Sequence, residues 1–175
     1  MDLSAHLRHI PDFPEPGIDF IDITTVLKDP VLFREAISQM AAAVADLDFD
    51  LIVGAESRGF IMGAPLAYAL DKGFIPVRKP GKLPAKTISA DYELEYGKNT
   101  LEIHEDSITP GTKVLIVDDL LATGGTAEAG IKLIERLGAE VGGGAFIIDL
   151  PDLGGRHRLE ATGLHVHALC AFEGH

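Results

Sequence analysis

The sequence predicts an α/β protein with a doubly wound, mainly parallel sheet flanked by helices. The first observation is a pair of short aliphatic runs, Leu51–Val53 and Val114–Val117, which are typical of strands buried on both faces. The second is that small and polar residues follow each run and begin a helical pattern. The third is the alternation of strands with helices, which favours right-handed βαβ units. Ligands of such sheets bind beyond the carboxyl ends of the strands, so polar residues there form the candidate site.

The N-terminal region predicts two helices with one strand between them. Leu3–Ile10 has the pattern of a short amphipathic helix that ends before Pro11. Residues 13–24 are rich in turn-forming residues and then alternate apolar and polar side chains, as a strand does. Asp29 and Pro30 fit the N-cap and the first position of the second helix.

The remaining elements follow from the same patterns. A polar loop is predicted over residues 78–90, and two strands beyond it pair across Gly97 and Lys98. Helices are predicted after the two aliphatic runs, the first of them reaching about Leu70. The other strands are predicted at 51–54, 74–77, 114–117, 140–150 and 165–169, and the paired ones at 92–96 and 99–103.

Composition favours one globular domain over residues 1–175 and excludes several classes of function. Apolar residues make up 46% and charged residues 24% of the chain, close to ordinary globular proteins. A net charge of −12 argues against binding of nucleic acid through its phosphates. The single cysteine, Cys170, excludes an internal disulfide and fits a reducing compartment. With no signal-peptide pattern and no apolar run of membrane-spanning length, we expect a cytoplasmic protein without a membrane or nucleic-acid partner.

Residues 118–126 carry the pattern with the most specific chemistry. Asp118 and Asp119 come at the carboxyl end of an aliphatic strand, and the small-residue turn 122–126 then begins a helix. Free amides at a helix N-terminus, together with the helix dipole, form an anion site that suits phosphate. Two adjacent carboxylates would repel the same phosphate, but they would accept hydrogen bonds from a hydroxyl-rich neighbour such as ribose. This combination predicts a site for a ribose 5-phosphate.

An ordinary strand–turn–helix with glycine at the turn is the alternative, although such a turn has no need of two aspartates where unpaired charge is costly. The run Val114–Thr126 resembles the phosphoribosyl pyrophosphate signature of the type I phosphoribosyltransferases. The resemblance implies their fold, with a small N-terminal hood and a mobile loop. It assigns phosphoribosyl binding to residues of this run, namely Asp118, Asp119, Ala122, Thr123, Gly124, Gly125 and Thr126.

A second anion site is predicted at the neighbouring strand end. Gly54–Phe60 places small residues and Arg58 after a buried strand, where the alternative is a helix start capped by Ser57. The segment resembles the pyrophosphate loop of the adenine phosphoribosyltransferases, which implies a cis peptide between Glu56 and Ser57. The basic segment Arg78–Lys82 is either a solvated turn or a neutraliser of the departing diphosphate. The resemblance implies diphosphate binding by six residues: Glu56, Ser57, Arg58, Arg78, Lys82 and Tyr96.

Two further segments resemble parts of the adenine enzymes that cover the reaction. Asp91–Lys98, within the loop and hairpin region 78–103, is similar to their mobile catalytic loop; a plain surface hairpin is the alternative. The resemblance implies a catalytic set of Glu95, Arg58 and Lys82, with Tyr96 helping to close the lid.

Pro16–Thr24, within residues 1–30, resembles the hood of these enzymes. The resemblance implies that Phe20 stacks on the base opposite Leu150, while backbone groups of Asp19 and Ile21 read its edge. A core aromatic is the alternative role for Phe20.

Together these resemblances imply purine salvage, in which 5-phosphoribose passes from phosphoribosyl pyrophosphate to adenine and gives AMP and pyrophosphate. Ala122 favours adenine, because hypoxanthine–guanine relatives carry an aspartate there. Mg²⁺ is the implied cofactor, held mainly by substrate oxygens with no direct protein ligand, and a homodimer is expected. Two alternatives stay open: transfer to another base such as xanthine, and a nucleotide-sensing regulator that keeps the fold without catalysis.

Overall fold

Strands and helices alternate through most of the computed structural model, which describes residues 1–93 and 97–175. The strands are β1 (Arg8–Pro11), β2 (Asp19–Asp22), β3 (Leu51–Ala55), β4 (Gly73–Val77), β5 (Thr87–Glu93), β6 (Lys98–His104), β7 (Lys113–Leu121), β8 (Glu140–Asp149) and β9 (Val166–Ala171). The helices are α1 (Thr24–Leu27), α2 (Pro30–Ala43), α3 (Arg58–Ala69), α4 (Gly125–Arg136) and α5 (Gly155–Glu160).

The central sheet contains five strands in the spatial order β4-β3-β7-β8-β9, and every pairing in it is parallel. Successive residues of the aliphatic runs face opposite cores. Ile52 and Leu115 pack with α2 and α3, whereas Val53 and Val114 pack with α4. Burial on both faces is what the aliphatic runs predicted, and the predicted fold class is confirmed.

The predicted N-terminal helix is wrong beyond His6. Leu3–His6 form one 3₁₀ turn, and Arg8–Pro11 then pair with β2 as an antiparallel strand. The helical spacing arose because Leu3 and Leu7 are both buried. The extended pairing is favoured instead because the Arg8 guanidinium donates through Nε and Nη2 to the Asp22 carboxylate, at 2.9 and 2.6 Å.

The start of α2 is as predicted, since the Asp29 side chain accepts from the amides of Val31 and Leu32 at 2.9 and 3.2 Å. The short helices α1 and α5, and a 3₁₀ turn at Pro151–Leu153, were not predicted. Each is too short to give a periodic pattern. Among the described residues, no helix is long and apolar enough to cross a membrane.

The hairpin after β4 starts earlier than predicted. Thr87 already begins β5, so the polar loop is shorter than residues 78–90. Tyr92 pairs with Asn99 and Glu93 with Lys98, so the two segments pair as predicted. The predicted turn at Gly97 and Lys98 is wrong, because Lys98 already belongs to β6 and is paired with Glu93. The segment 94–96, with the predicted site residues Glu95 and Tyr96, lies outside the described residues.

The close approach of α3 to β3 leaves no room for a side chain at Gly54. A Cβ there would lie 2.8 Å from the Gly59 carbonyl oxygen and 3.0 Å from the Phe74 ring.

We expect Gly54→Ala to lower the free energy of unfolding by about 1–3 kcal/mol in urea titrations. Gly130 of α4 is the matched control, because its added Cβ would have its nearest neighbour at 3.9 Å. Gly130→Ala should stabilise by roughly 0.5–1 kcal/mol; equal stability of the two variants would contradict this packing.

Candidate active site

A cavity of about 460 Å³ opens at the carboxyl ends of β3 and β7. Its volume lies within the range of small-molecule sites in proteins, and its place is the one expected for this class of sheet. Much of the wall comes from the segments that follow the two strands. The described residues that line it are Glu56, Ser57, Arg58, Lys79, Tyr92, Glu93, Leu101, Asp118, Asp119, Leu120, Leu121, Ala122, Thr123, Gly124, Gly125, Thr126, Ala127 and Phe146.

The loop 122–126, which we call the phosphate loop, has the geometry of an anion site. Gly124 is the N-cap of α4 and has φ of +87°, a left-handed conformation that glycine adopts at little cost. The amides of the first helical turn have no carbonyl partner within the helix. Because Thr123–Thr126 line the cavity, these amides lie at its wall. The 12-residue length of α4 adds a helix dipole that favours an anion there.

Asp118 and Asp119 lie within the last part of β7, since the strand continues to Leu121. Asp119 is buried, and Nε of Arg58 donates to its Oδ2 at 2.6 Å. The Asp119 amide in turn donates to Oδ1 of Asp118 at 2.8 Å. Burial, with the neighbouring charge of Asp119, holds the pKa of the Asp118 carboxyl well above its usual range. Arg58 thus compensates one charge of the pair directly.

The loop between β3 and α3 brings Arg58 to the aspartates. The Glu56–Ser57 peptide is cis, as predicted from the resemblance. Arg58 is the first residue of α3. Gly59 allows the close approach, because a Cβ there would lie 3.2 Å from Oδ1 of Asp118. Ser57 does occupy the N-cap position of α3, but within the described part of the chain its side chain makes no capping hydrogen bond.

The Glu56 side chain is turned to the basic segment. Its Oε1 accepts from the Lys79 amide at 2.8 Å and from Nε of Arg78 at 3.1 Å. The Lys79 amide, with the charge of Arg78, holds the pKa of the Glu56 carboxyl below its usual range. Lys79 lines the cavity, whereas Arg78 and Lys82 are not among the described residues that do so. Glu56 therefore anchors the basic segment at the edge of the cavity.

The predicted base-binding residues are not among the described residues that line the cavity, and they lie beyond Arg58. Phe20, on β2, has its ring centroid 5.9 Å from the Arg58 guanidinium carbon and 5.3 Å from the Phe13 ring centroid. Ile21 is buried, and the Asp19 carbonyl oxygen is 3.2 Å from Nδ1 of His175. Leu150 follows β8 and packs against the core that contains α2 and α3. Arg58 is thus the link between the cavity and β2.

Several cavity residues were missed from the sequence. Tyr92 is the most informative, because a Cβ on Gly125 would lie 3.3 Å from its ring. The alternation of partly buried Ile88, Ala90 and Tyr92 along β5 is a signal that would have found it. Leu101 and Phe146 are buried apolar residues of β6 and β8, and their sequence surroundings look like any other strand.

Comparison with models of protein families identifies the class of protein that has this fold and site. The model described as the phosphoribosyl transferase domain matches residues 24–161. This span contains the phosphate loop, both aspartates and Arg58, and four of the five strands of the parallel sheet that positions them. The chain therefore belongs to the phosphoribosyltransferases, and its sheet has the type I fold.

Similar proteins narrow the family further. The chain is 63% identical over 169 residues to the adenine phosphoribosyltransferase of Roseobacter denitrificans, covering 97% of this chain and 96% of that protein. It matches the crystal structure of the Thermoanaerobacter pseudethanolicus adenine phosphoribosyltransferase with a TM-score of 0.93 and 52% identity, over 97% and 98% of the two chains. The crystal structure of the Saccharomyces cerevisiae enzyme, in complex with an imino-altritol bisphosphate and adenine, matches with a TM-score of 0.88 and 42% identity. The match covers 95% of this chain and 96% of that chain. Within the phosphoribosyltransferases, the chain belongs to the adenine phosphoribosyltransferase family.

The raised pKa of Asp118 has a consequence for stability. An ionised Asp118 destabilises the folded chain at neutral pH, and this cost fades as the pH falls toward about 3.9, the usual pKa of an unfolded aspartate. Asp118→Asn should therefore be more stable than wild type in denaturant titrations at pH 7.5, by a margin that shrinks at pH 5. Asp48→Asn is the control of opposite sign, because Lys113 lowers the pKa of Asp48. A less stable Asp118→Asn at pH 7.5 would contradict the assignment.

Proposed function

We propose that this protein transfers 5-phosphoribose from phosphoribosyl pyrophosphate to adenine, and so serves purine salvage. The observation that carries the proposal is that one cavity contains both a site for phosphate and a site for hydroxyl groups. A helix N-terminus suited to phosphate directly follows a pair of carboxylates suited to hydroxyl groups. The family of the chain names the same reaction.

The phosphoribosyl group occupies the side of the cavity formed by β7 and α4. Amides and hydroxyls of the phosphate loop, Ala122–Thr126, bind the 5-phosphate. Asp118 and Asp119 accept hydrogen bonds from the ribose hydroxyls, and charge-assisted hydrogen bonds of this type are worth roughly 1.5–3 kcal/mol each. The buried site strengthens them, because little water competes there.

The diphosphate lies toward α3 and the basic segment. Ser57 and Arg58 bind it, with Glu56 positioning Arg78 and Lys79 through the contacts described above. Lys82 adds a further positive charge. Because Arg58 is held by Asp119 at 2.6 Å, ribose binding at Asp119 releases this guanidinium toward the diphosphate. Cations placed at the leaving group stabilise the charge that builds there.

Mg²⁺ fits the donor set of this cavity as a substrate-borne ion. It prefers oxygen ligands and retains its waters, binding through one or two carboxylates and substrate phosphates. Asp118 and Asp119 are the carboxylates within reach of the proposed ribose, and no cluster of three or more His, Cys, Asp or Glu able to hold a metal occurs in residues 1–93 and 97–175. Substrate oxygens would hold most of the ion, with Asp118 and Asp119 as the nearest carboxylates, and a bound ion would neutralise charge on the diphosphate.

In the reaction, the bond from the anomeric carbon to the diphosphate oxygen breaks and a bond to N9 of adenine forms, with inversion. Diphosphate leaves with the electron pair of the broken bond, and the proton lost from N9 of adenine passes to an oxygen of the departing diphosphate. The residues of the cavity contribute position and charge stabilisation. The hairpin segment with Glu95 and Tyr96 excludes water from the cationic sugar, with Glu95 at the reaction centre.

The base stacks between Phe20 and Leu150, and the backbone of Asp19 and Ile21 reads its edge. Phe20 supports this arrangement through its position beside Arg58, which also lines the cavity. Ala122 supplies no carboxylate at the position where hypoxanthine–guanine relatives carry an aspartate, which favours adenine as the base.

The proposal is tested by turnover of labelled adenine with phosphoribosyl pyrophosphate and Mg²⁺, with hypoxanthine, guanine and xanthine as competing bases. We expect adenine to be converted to AMP and the other three bases not to be converted to nucleotides. Turnover with xanthine in place of adenine would select the alternative base. Binding of phosphoribosyl pyrophosphate without turnover of any base would select the regulator.

Glu95→Gln is expected to depress kcat more than it raises KM for adenine. Loss of an interaction made chiefly in the transition state lowers kcat and kcat/KM together, whereas loss of uniform binding raises KM alone. We expect a fall of about tenfold or more in steady-state assays at saturating phosphoribosyl pyrophosphate. Glu105→Gln, an exposed carboxylate beyond the base of the same hairpin, is the control and should match wild type. A wild-type kcat for Glu95→Gln would remove this residue from the catalytic set.

We also propose that the protein is a cytoplasmic homodimer made of one domain, with hood and hairpin as its appendages. The second copy would cover the apolar side chains that α2 and α3 expose, since Val31 is 60% and Tyr68 91% accessible. Light scattering is expected to give twice the monomer mass of 18.7 kDa. A stable, fully active monomer at assay concentration would contradict the dimer.

A further inference from the structure

The phosphate loop is held by α5, a helix that contributes none of the described residues lining the main cavity. The Gly155 amide donates to the Ala122 carbonyl oxygen at 3.0 Å. Gly155 also packs so closely on the loop that a Cβ there would collide with that same oxygen. One turn later, Arg158 reaches Glu128 of α4 and the Thr123 carbonyl oxygen. The helix α5 thus contacts both the loop and the helix that follows it.

These contacts orient the peptide groups of the loop. A loop that points its amides at a phosphate must direct its carbonyl groups elsewhere, and donors from the protein can fix that orientation. Gly155 supplies one for Ala122, and Nη1 of Arg158 lies 3.4 Å from the Thr123 oxygen. Two successive carbonyl groups of the loop are therefore directed to α5.

The second contact of Arg158 neutralises the negative charge of Glu128. Glu128 lies in the first turn of α4, where its carboxylate favours the helix but opposes a phosphate at the same N-terminus. Arg158 approaches this carboxylate as a fork, with Nε 2.6 Å from Oε2 and Nη2 3.0 Å from Oε1. Lys132 is more distant, at 3.8 Å from Oε1.

We propose that Arg158 is a positioning residue for the 5-phosphate site: it neutralises Glu128 and holds the Thr123 carbonyl group away from the bound phosphate. This inference rests on the proposed function, because it requires that the phosphate loop binds a phosphate. Arg158 and Glu128 do not line the main cavity within the described residues, so they act on the phosphate through the loop.

An exposed ion pair with no such role would behave differently. Surface pairs contribute little to stability, and Arg158 has half of its side chain accessible. A purely structural Arg158 would alter the melting temperature and leave phosphate affinity unchanged. The positioning role predicts the reverse: affinity for the phosphate changes, and the charge of Glu128 accounts for part of the change.

The experiment measures the Kd of ribose 5-phosphate by calorimetry for wild type, Arg158→Gln, Arg158→Lys, Glu128→Gln and the double variant Glu128→Gln/Arg158→Gln. Arg158→Gln should raise Kd by about fivefold to tenfold, from the lost charge compensation and the lost hydrogen bond. Arg158→Lys should recover part of the affinity, because it keeps the charge without the fork. The double variant should bind more tightly than Arg158→Gln, because the unpaired carboxylate is gone.

Lys113→Gln is the matched control. It removes one positive charge and one surface pair, with Asp48 at 2.9 Å, at the opposite end of β7. Its Kd should equal that of wild type. In steady-state assays Arg158→Gln should raise KM for phosphoribosyl pyrophosphate with kcat little changed.

The outcomes separate the two proposals. Binding to wild type with an unchanged Kd in Arg158→Gln would overturn the role of Arg158 and leave the proposed function standing. A rise in Kd that Glu128→Gln does not reduce would overturn the charge argument. Failure of wild type to bind ribose 5-phosphate would overturn the phosphate site, and the role of Arg158 with it. Melting temperatures of all variants confirm that each is folded.

Discussion

The contact between Arg58 and Asp119 is the interaction on which the organisation of the proposed site depends. Two adjacent carboxylates at a mostly buried strand end are costly, because desolvation and mutual repulsion both oppose their ionisation. Arg58 offsets part of this cost through a hydrogen bond of 2.6 Å. Burial and the charge of Asp119 still raise the pKa of the Asp118 carboxyl, so Arg58 does not offset the whole cost. A ligand that brings hydroxyl groups to the pair meets a site already prepared for them.

The parallel sheet makes this contact possible. Arg58 and Asp119 are 61 positions apart in the chain, yet β3 and β7 are adjacent and run in the same direction. Their carboxyl ends therefore meet at one edge, and small residues let the following segments approach closely. Gly59 brings α3 to Asp118, and Gly155 brings α5 to the phosphate loop. The same edge thus carries the carboxylates, the helix N-terminus and the basic segment.

Patterns that depend on local sequence predicted most of the fold. The aliphatic runs predicted the buried strands, and Asp29 with Pro30 predicted the start of α2. The failures have two causes: α1 and the turn Pro151–Leu153 are too short to give a periodic pattern, and other segments depend on partners distant in the chain. Arg8 extends the N-terminal segment through Asp22, and α5 is a six-residue helix fixed by its contacts with the phosphate loop.

The candidate site divides in the same way. The two aspartates and the phosphate loop are close together in the chain, so the sequence alone predicted that they line one site. Lys79 lines the cavity and was not predicted, because its position depends on the hydrogen bond of its amide to Glu56, which lies 23 positions earlier in the chain. Tyr92 reaches Gly125 across the packing of β5 on α4; the alternation along β5 indicates that Tyr92 faces inward, but it does not identify Gly125 as the neighbour.

The most direct test of the account is a crystal structure with phosphoribosyl pyrophosphate and Mg²⁺. The account predicts the 5-phosphate on the amides of Thr123–Thr126, the ribose hydroxyls on Asp118 and Asp119, and Arg58 moved from Asp119 to the diphosphate. A phosphate bound elsewhere, or ribose bound with Arg58 still paired to Asp119, would contradict it.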